Sequence, residues 1–234
     1  MSKKKRQKLE PAIIVALIGL AGTIVAALLA SPIIANVFSK TPTPAPTGPI
    51  TGNSRLVFEN DFESGTISGF AFESGQGQIT KDKGNPVLEL RAEDNNNTTA
   101  IFGSNDFSDG AIEFQINFEI FSGFILSFRG SNGQTYTLYL SPNAGEIKLG
   151  FGSAANDWDL ETFDSNSTRL FAFNEDTWYL VRLEVTGDQM TVWVDGNRVL
   201  SGKDSRLQQG SMEFSIQPPG TVLLDNVKVW ETVR

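Results

Sequence analysis

The chain is 234 residues long and contains neither Cys nor His. That excludes disulfides, thiolate nucleophiles, Ser-His-Asp triads and zinc sites built on those ligands. The formal charge of −8 is uneven: Lys3, Lys4, Lys5, Lys8, Lys40 and Arg6 against Glu10 give +5 over residues 1–40, which leaves −13 on residues 41–234. So acidic a region repels a phosphate backbone, and nucleic acid is not an expected partner.

Residues 1–10 form a basic tail. From Ala12 to Phe38 the chain runs 27 residues without a charge, with Thr23, Ser31 and Asn36 its only plainly polar side chains. A helix of that length reaches roughly 40 Å and carries no polar stripe, so it is read as a single transmembrane helix over 11–38. The basic flank places the N-terminus in the cytoplasm and the bulk of the protein outside the cell membrane. A cleavable signal peptide is the competing reading. Against it, the apolar run is long, and Leu28-Leu29-Ala30 and Ile33-Ile34-Ala35 put a bulky residue where a cleavage site takes a small one. Gly22, Ala26 and Ala30 recur every four residues, a stripe suited either to packing on another membrane protein's helix or merely to lipid contact.

Residues 39–54 read SKTPTPAPTGPITGNS. Four prolines favour extended polyproline II, a spacer of up to roughly 50 Å between membrane and head.

From residue 55 to 234 the hydrophobic period switches to two. Ile112, Phe114, Ile116, Phe118 and Ile120 alternate with Glu113, Gln115, Asn117 and Glu119. The same rhythm marks Phe124–Phe128, Tyr136–Leu140, Ile147–Phe151, Tyr179–Val185, Met190–Val194 and Val222–Val229, each predicting a strand with one buried and one wet face. Asp195-Gly196 is a hairpin turn. About a dozen short strands and no amphipathic helix predict an all-β jelly-roll sandwich.

Three segments carry a resemblance. Phe58-Glu-Asn-Asp-Phe-Glu-Ser-Gly-Thr-Ile-Ser-Gly-Phe70, Thr177-Trp-Tyr-Leu-Val-Arg-Leu-Glu-Val-Thr-Gly-Asp-Gln-Met-Thr-Val-Trp-Val-Asp-Gly-Asn-Arg-Val199 and Leu223-Leu-Asp-Asn-Val-Lys-Val-Trp230 are similar to the opening, late and final strands of concanavalin A-like, laminin-G-like sandwich domains. The resemblance implies that fold and leaves activity open, because such domains include lectins, glucanases and adhesion modules. It also implies that Trp178 and Trp230 pack the fold. The glucanases in that group carry Glu-x-Asp-x-x-Glu on one strand, and nothing here matches it. Glu113 and Glu119 share a face at roughly 20 Å, too far apart to serve one bond, and read as solvated charges.

Two sites are predicted. Sugar rings stack their apolar faces on aromatics and bond planar polar groups. That nominates Trp158, in the polar loop Ala154-Ala-Asn-Asp-Trp-Asp-Leu160, with Trp193, Tyr139 and Arg129 on the outward parity of their strands, for binding a polysaccharide or glycan. Ordinary cross-strand packing is the competing reading for Trp193 and Tyr139. Asp61 and Glu63 near the first strand and Asp225 near the last offer hard oxygens suited to Ca²⁺, which the resemblance makes a structural ion; the alternative is turn capping. The leading expectation is a membrane-anchored, non-catalytic carbohydrate-binding head. An accessory subunit of a membrane complex and a carboxylate-dependent glycoside hydrolase are the alternatives.

Overall fold

The computed structural model describes residues 53–153 and 160–233. The predicted basic tail, membrane helix, linker as far as residue 52 and the Gly22, Ala26, Ala30 stripe lie outside the described residues, as does Trp158; the linker's last residue, Ser54, opens the first strand. The described residues form sixteen strands. In chain order they are β1 (Ser54–Asn60), β2 (Phe70–Ser74), β3 (Gly77–Asp82), β4 (Asn85–Ala92), β5 (Thr98–Phe102), β6 (Gly110–Ile120), β7 (Phe124–Ser131) and β8 (Gln134–Ser141). There follow β9 (Glu146–Ser153), β10 (Glu161–Thr162), β11 (Thr168–Leu170), β12 (Trp178–Thr186), β13 (Gln189–Val194), β14 (Asn197–Lys203), β15 (Ser211–Ile216) and β16 (Gly220–Thr232).

They make two antiparallel sheets, as the alternation predicts. Sheet A runs β14-β13-β12-β6-β16-β4-β3, with β1 also on β16; sheet B runs β10-β9-β8-β7-β15-β5-β2, with β11 also on β9. Strand alternation sends Ile112, Phe114, Ile116 and Phe118 of β6 inward from sheet A, and Phe124, Leu126 and Phe128 of β7 inward from sheet B; all seven are fully buried. Phe214 of β15 sits where these layers meet. Its ring centroid lies 4.2 Å from Phe102, 5.0 Å from Phe114 and 5.3 Å from Phe124.

The β13–β14 hairpin turns at Asp195 (φ 50°) and Gly196 (φ 74°), the two positive φ values that an Asp-Gly turn supplies. Other turns follow the same chemistry. On the outer face of sheet A, Trp178 Nε1 donates to Asp82 Oδ2 at 2.8 Å, and the Arg182 guanidinium lies 5.5 Å over the Trp230 ring. Both tryptophans are half-buried and pack the sheet, as the resemblance implies.

Glu113 needs a correction. It is 4% exposed rather than solvated, because strand pairing puts Arg182 directly opposite and the guanidinium bonds its carboxylate at 3.1 Å.

Candidate functional site

The outer face of sheet B carries hydroxyls and amides that no second sheet covers, yet most are screened. Ser127, Thr135, Thr137, Ser215 and Gln217 are 2–5% exposed. Those side chains are shielded by their surroundings, and among the described residues two recesses open beside them.

The first, of about 460 Å³, is lined by Tyr139 and Ser141 of β8, Glu146 and Lys148 of β9, and Thr162 and Thr168 of the short strands beside β9. Register fixes the arrangement: Tyr139 lies between Ile125 and Lys148, and Ser141 faces Glu146. Lys148 Nζ sits 2.6 Å from Glu146 Oε1, so the pair brings no net charge. Tyr139 is half-buried, and its hydroxyl donates to Gln217 Oε1 at 3.1 Å. Gln217 Nε2 is buried and has no partner. A buried amide left this way keeps an unmet donor, which is uncommon in native structures. Gly123 makes the pairing possible, since a Cβ there would stand 2.1 Å from Gln217 Oε1 and 2.6 Å from the Tyr139 oxygen.

The second recess, of about 250 Å³, lies diagonally across the face. Its lining includes Glu73 of β2, Ser127 of β7, Thr135 of β8 and Glu213 of β15. Hydroxyls join the two: Ser127 pairs with Thr137 across β7 and β8, and Thr99 and Ser215 share a hydrogen bond of 3.1 Å. A further depression of about 540 Å³ beside Asp61 is lined by β1 and the turn after it and contains neither Tyr nor Trp.

Of the predicted sugar-binding residues, Tyr139 stands on this face. Trp193 does not join it: it lies on β13 of sheet A, opposite Arg182, so outward parity put the two aromatics on opposite sides of the sandwich. Arg129 is corrected. It is 1% exposed, and its guanidinium donates to the carbonyls of Ser108, Gly187 and Leu207 and to Asp109 Oδ1. A bulge between Phe128 and Ser131, with φ 52° at Arg129, breaks the alternation and swings the side chain into the protein. Glu73, Glu213 and Gln217 escaped sequence reasoning because strands far apart in the chain bring them together; only the unusual Gln before Pro218-Pro219 was a local signal.

The proposed calcium residues are near one another, because β1 pairs with β16. Two of the three carboxylates are hydrogen-bonded within the protein: Asp61 Oδ1 accepts the Glu63 N–H, Asp225 Oδ1 the Asn226 N–H, and Asp225 Oδ2 the Asn85 side-chain amide. Among the described residues no group of three His, Cys, Asp or Glu side chains is placed to hold a metal ion. Burial, and then repulsion from Glu63 and Asp61, pushes the Asp225 carboxyl up to about 6 from 3.8. Between those two pH values the folded state holds a proton that the unfolded state has released. The stability this provides is complete below about pH 4 and lost as pH rises through 6. Asp225→Asn is expected to flatten the pH 4–6 slope of thermal unfolding and to melt above wild type at pH 7.5; an unchanged slope counts against the burial argument.

The model of the family described as the 3-keto-alpha-glucoside-1,2-lyase-like domain matches residues 57–229, nearly the whole sandwich. The chain belongs to that family. Solved structures share the architecture of this lyase-like domain. A galectin-fold protein of unknown function from Bacillus subtilis is 16% identical with a TM-score of 0.60, covering 76% of this chain and 97% of its own. The carbohydrate-binding module CBM66 from Bacillus subtilis is 16% identical with a TM-score of 0.54, covering 68% and 93%. A laminarinase from Flavobacterium sp. UMI-01 is 16% identical with a TM-score of 0.55, covering 76% and 100%. At such identities the likeness establishes a concanavalin A-like fold. No curated protein matches the sequence.

Proposed function

We propose that the lyase-like domain binds carbohydrate on the outer face of sheet B, as the head of a protein held at the cell membrane by residues 11–38 and facing outward. The observation that carries the binding reading is the Tyr139 recess: an aromatic face, a neutral Lys148–Glu146 pair and the hydroxyls of Ser141, Thr162 and Thr168 line one opening. This is the mixture of apolar surface and a few oriented polar groups that a sugar ring requires. The uncharged run from Ala12 to Phe38 behind a basic flank supports the anchoring. Binding without bond cleavage is favoured because no strand carries the Glu-x-Asp-x-x-Glu pattern of the related glucanases.

The test is calorimetry of the intact chain in mild detergent against neutral plant and bacterial polysaccharides. Tyr139→Ala is expected to weaken binding about tenfold, the worth of one lost aromatic contact. Equal affinity in the variant, or no polysaccharide bound by wild type, contradicts the proposal.

Family membership favours a second reading, elimination on a 3-keto glycoside, in which a carboxylate of the second recess removes the proton next to the ketone. Glu73 and Glu213 are the bases the geometry offers. Release of the leaving sugar from such a substrate, lost in Glu213→Gln, would favour it.

A further inference from the structure

Strand register sets the floor of the Tyr139 recess. Along β9, Glu146 and Lys148 are two residues apart and share the outer face of sheet B. β8 places Ser141 beside Glu146 and Tyr139 beside Lys148, and β11 places Thr168 on the other side of Lys148. Both charged side chains line the opening and are partly exposed, so a ligand meets them without crossing buried surface. Gly150 continues their row, and a Cβ there would stand 3.3 Å from the Leu160 Cβ and 2.9 Å from the Glu161 carbonyl oxygen. Its missing side chain lets Leu160 cover that position, where it joins Tyr139 as apolar lining and bounds the recess along β9.

Lys148 Nζ and Glu146 Oε1 are 2.6 Å apart. An ammonium only donates and a carboxylate only accepts, and this contact uses one of the ammonium hydrogens and one carboxylate oxygen. A partly exposed pair of this kind contributes little to stability, so turning it toward a ligand costs the fold little. Two hydroxyls held gauche on adjacent ring carbons place their oxygens about 2.8 Å apart, one O–H···O length. The spacing of the ion pair matches that of the diol. One hydroxyl accepts from Nζ while its neighbour donates to the carboxylate, and both bonds are charge-assisted. An isolated hydroxyl answers one charge only, and two axial hydroxyls on opposite ring faces splay too far to reach both.

We infer that the recess reads a single sugar unit through two unsubstituted, gauche vicinal hydroxyls, Lys148 donating to one and Glu146 accepting from the other, while an apolar face of the ring lies on Tyr139. The inference rests on the sugar-binding reading and adds to it the hydroxyl pattern that is recognised. Tyr139 is set for this role before a ligand arrives, because its hydroxyl is held at 3.1 Å by Gln217 Oε1 and the ring orientation is fixed. Removing or acylating either hydroxyl of the diol takes away one of the two charge-assisted bonds.

The test titrates the intact chain in mild detergent with the methyl glycosides of glucose, galactose, mannose and xylose, and then with the monodeoxy forms of whichever binds best. Loss of either hydroxyl of one adjacent pair is expected to weaken binding about tenfold, the worth of one charge-assisted hydrogen bond. Lys148→Met and Glu146→Gln are each expected to bind the parent glycoside no better than wild type binds the matching deoxy sugar, and to lose little more when that hydroxyl is also absent. Both variants should melt with wild type, since the pair is partly exposed. Deoxy sugars bound as tightly as the parent, or a deoxygenation penalty undiminished in both variants, overturns the inference while leaving Tyr139-dependent sugar binding intact. Polysaccharide bound with no methyl glycoside bound overturns it as well. No carbohydrate bound in any form removes the underlying reading, and this one with it.

Discussion

Arg129→Met is expected to destabilise the domain by about 3–5 kcal/mol, the loss seen when one partner of a buried ion pair is removed. Arg129 belongs to sheet B, and its guanidinium donates to Ser108 O, Gly187 O, Leu207 O and Asp109 Oδ1. Ser108 and Asp109 lead into β6, and Gly187 follows β12, so the side chain ties the end of sheet A to sheet B. Met fills similar volume but offers no N–H. Three carbonyls and a carboxylate would lose a donor in a place water reaches poorly, which is where an unmade hydrogen bond costs most. Chemical denaturation followed by tryptophan fluorescence reads the change, and Arg129→Lys should fall between, since an ammonium keeps the charge and loses the planar fork. A Met variant within about 1 kcal/mol of wild type would show that the buried guanidinium does not hold the sheets together.

Phe214→Ala is expected to cost a similar amount, about 3–5 kcal/mol, through the cavity it leaves. The ring is fully buried, stacks on Phe102 of its own sheet at an interplanar angle of 23°, and meets Phe114 of the other edge-to-face at 62°. These are the offset and T-shaped geometries that add to burial of area. Phe214→Leu keeps most of the volume and is expected to lose under about 1.5 kcal/mol. Because Glu213 and Ser215 point the other way from β15, the Ala variant should still bind sugar at temperatures where it remains folded. If binding vanishes while the fold persists, the separation of core and face is wrong.

Much of the sandwich was legible because a strand half-buried on each sheet must alternate. Ile112–Ile120, Tyr179–Val185 and Val222–Val229 gave themselves away on that ground, and Asp195-Gly196 announced its hairpin through a required positive φ. Alternation reports which way a side chain points relative to its own sheet, and nothing of which sheet that is. Tyr139 and Trp193 therefore looked equivalent in sequence and stand on opposite sides of the molecule. It also assumes an unbroken ladder. The bulge after Phe128 defeats it, and Arg129, outward by count, is buried. Glu113 failed for a different reason: its burial depends on Arg182, which reaches it only through the β6–β12 register. The second recess was invisible for the same cause, since Glu73 and Glu213 come from strands at opposite ends of the domain.

In the proposed complex, sugar meets the sheet B face and leaves sheet A bare. The most direct measurement compares the affinity of Tyr139→Ala and Trp193→Ala for one neutral oligosaccharide under identical conditions. Weakened binding is expected for Tyr139→Ala and unchanged binding for Trp193→Ala; the reverse pattern would contradict the proposed sheet B site.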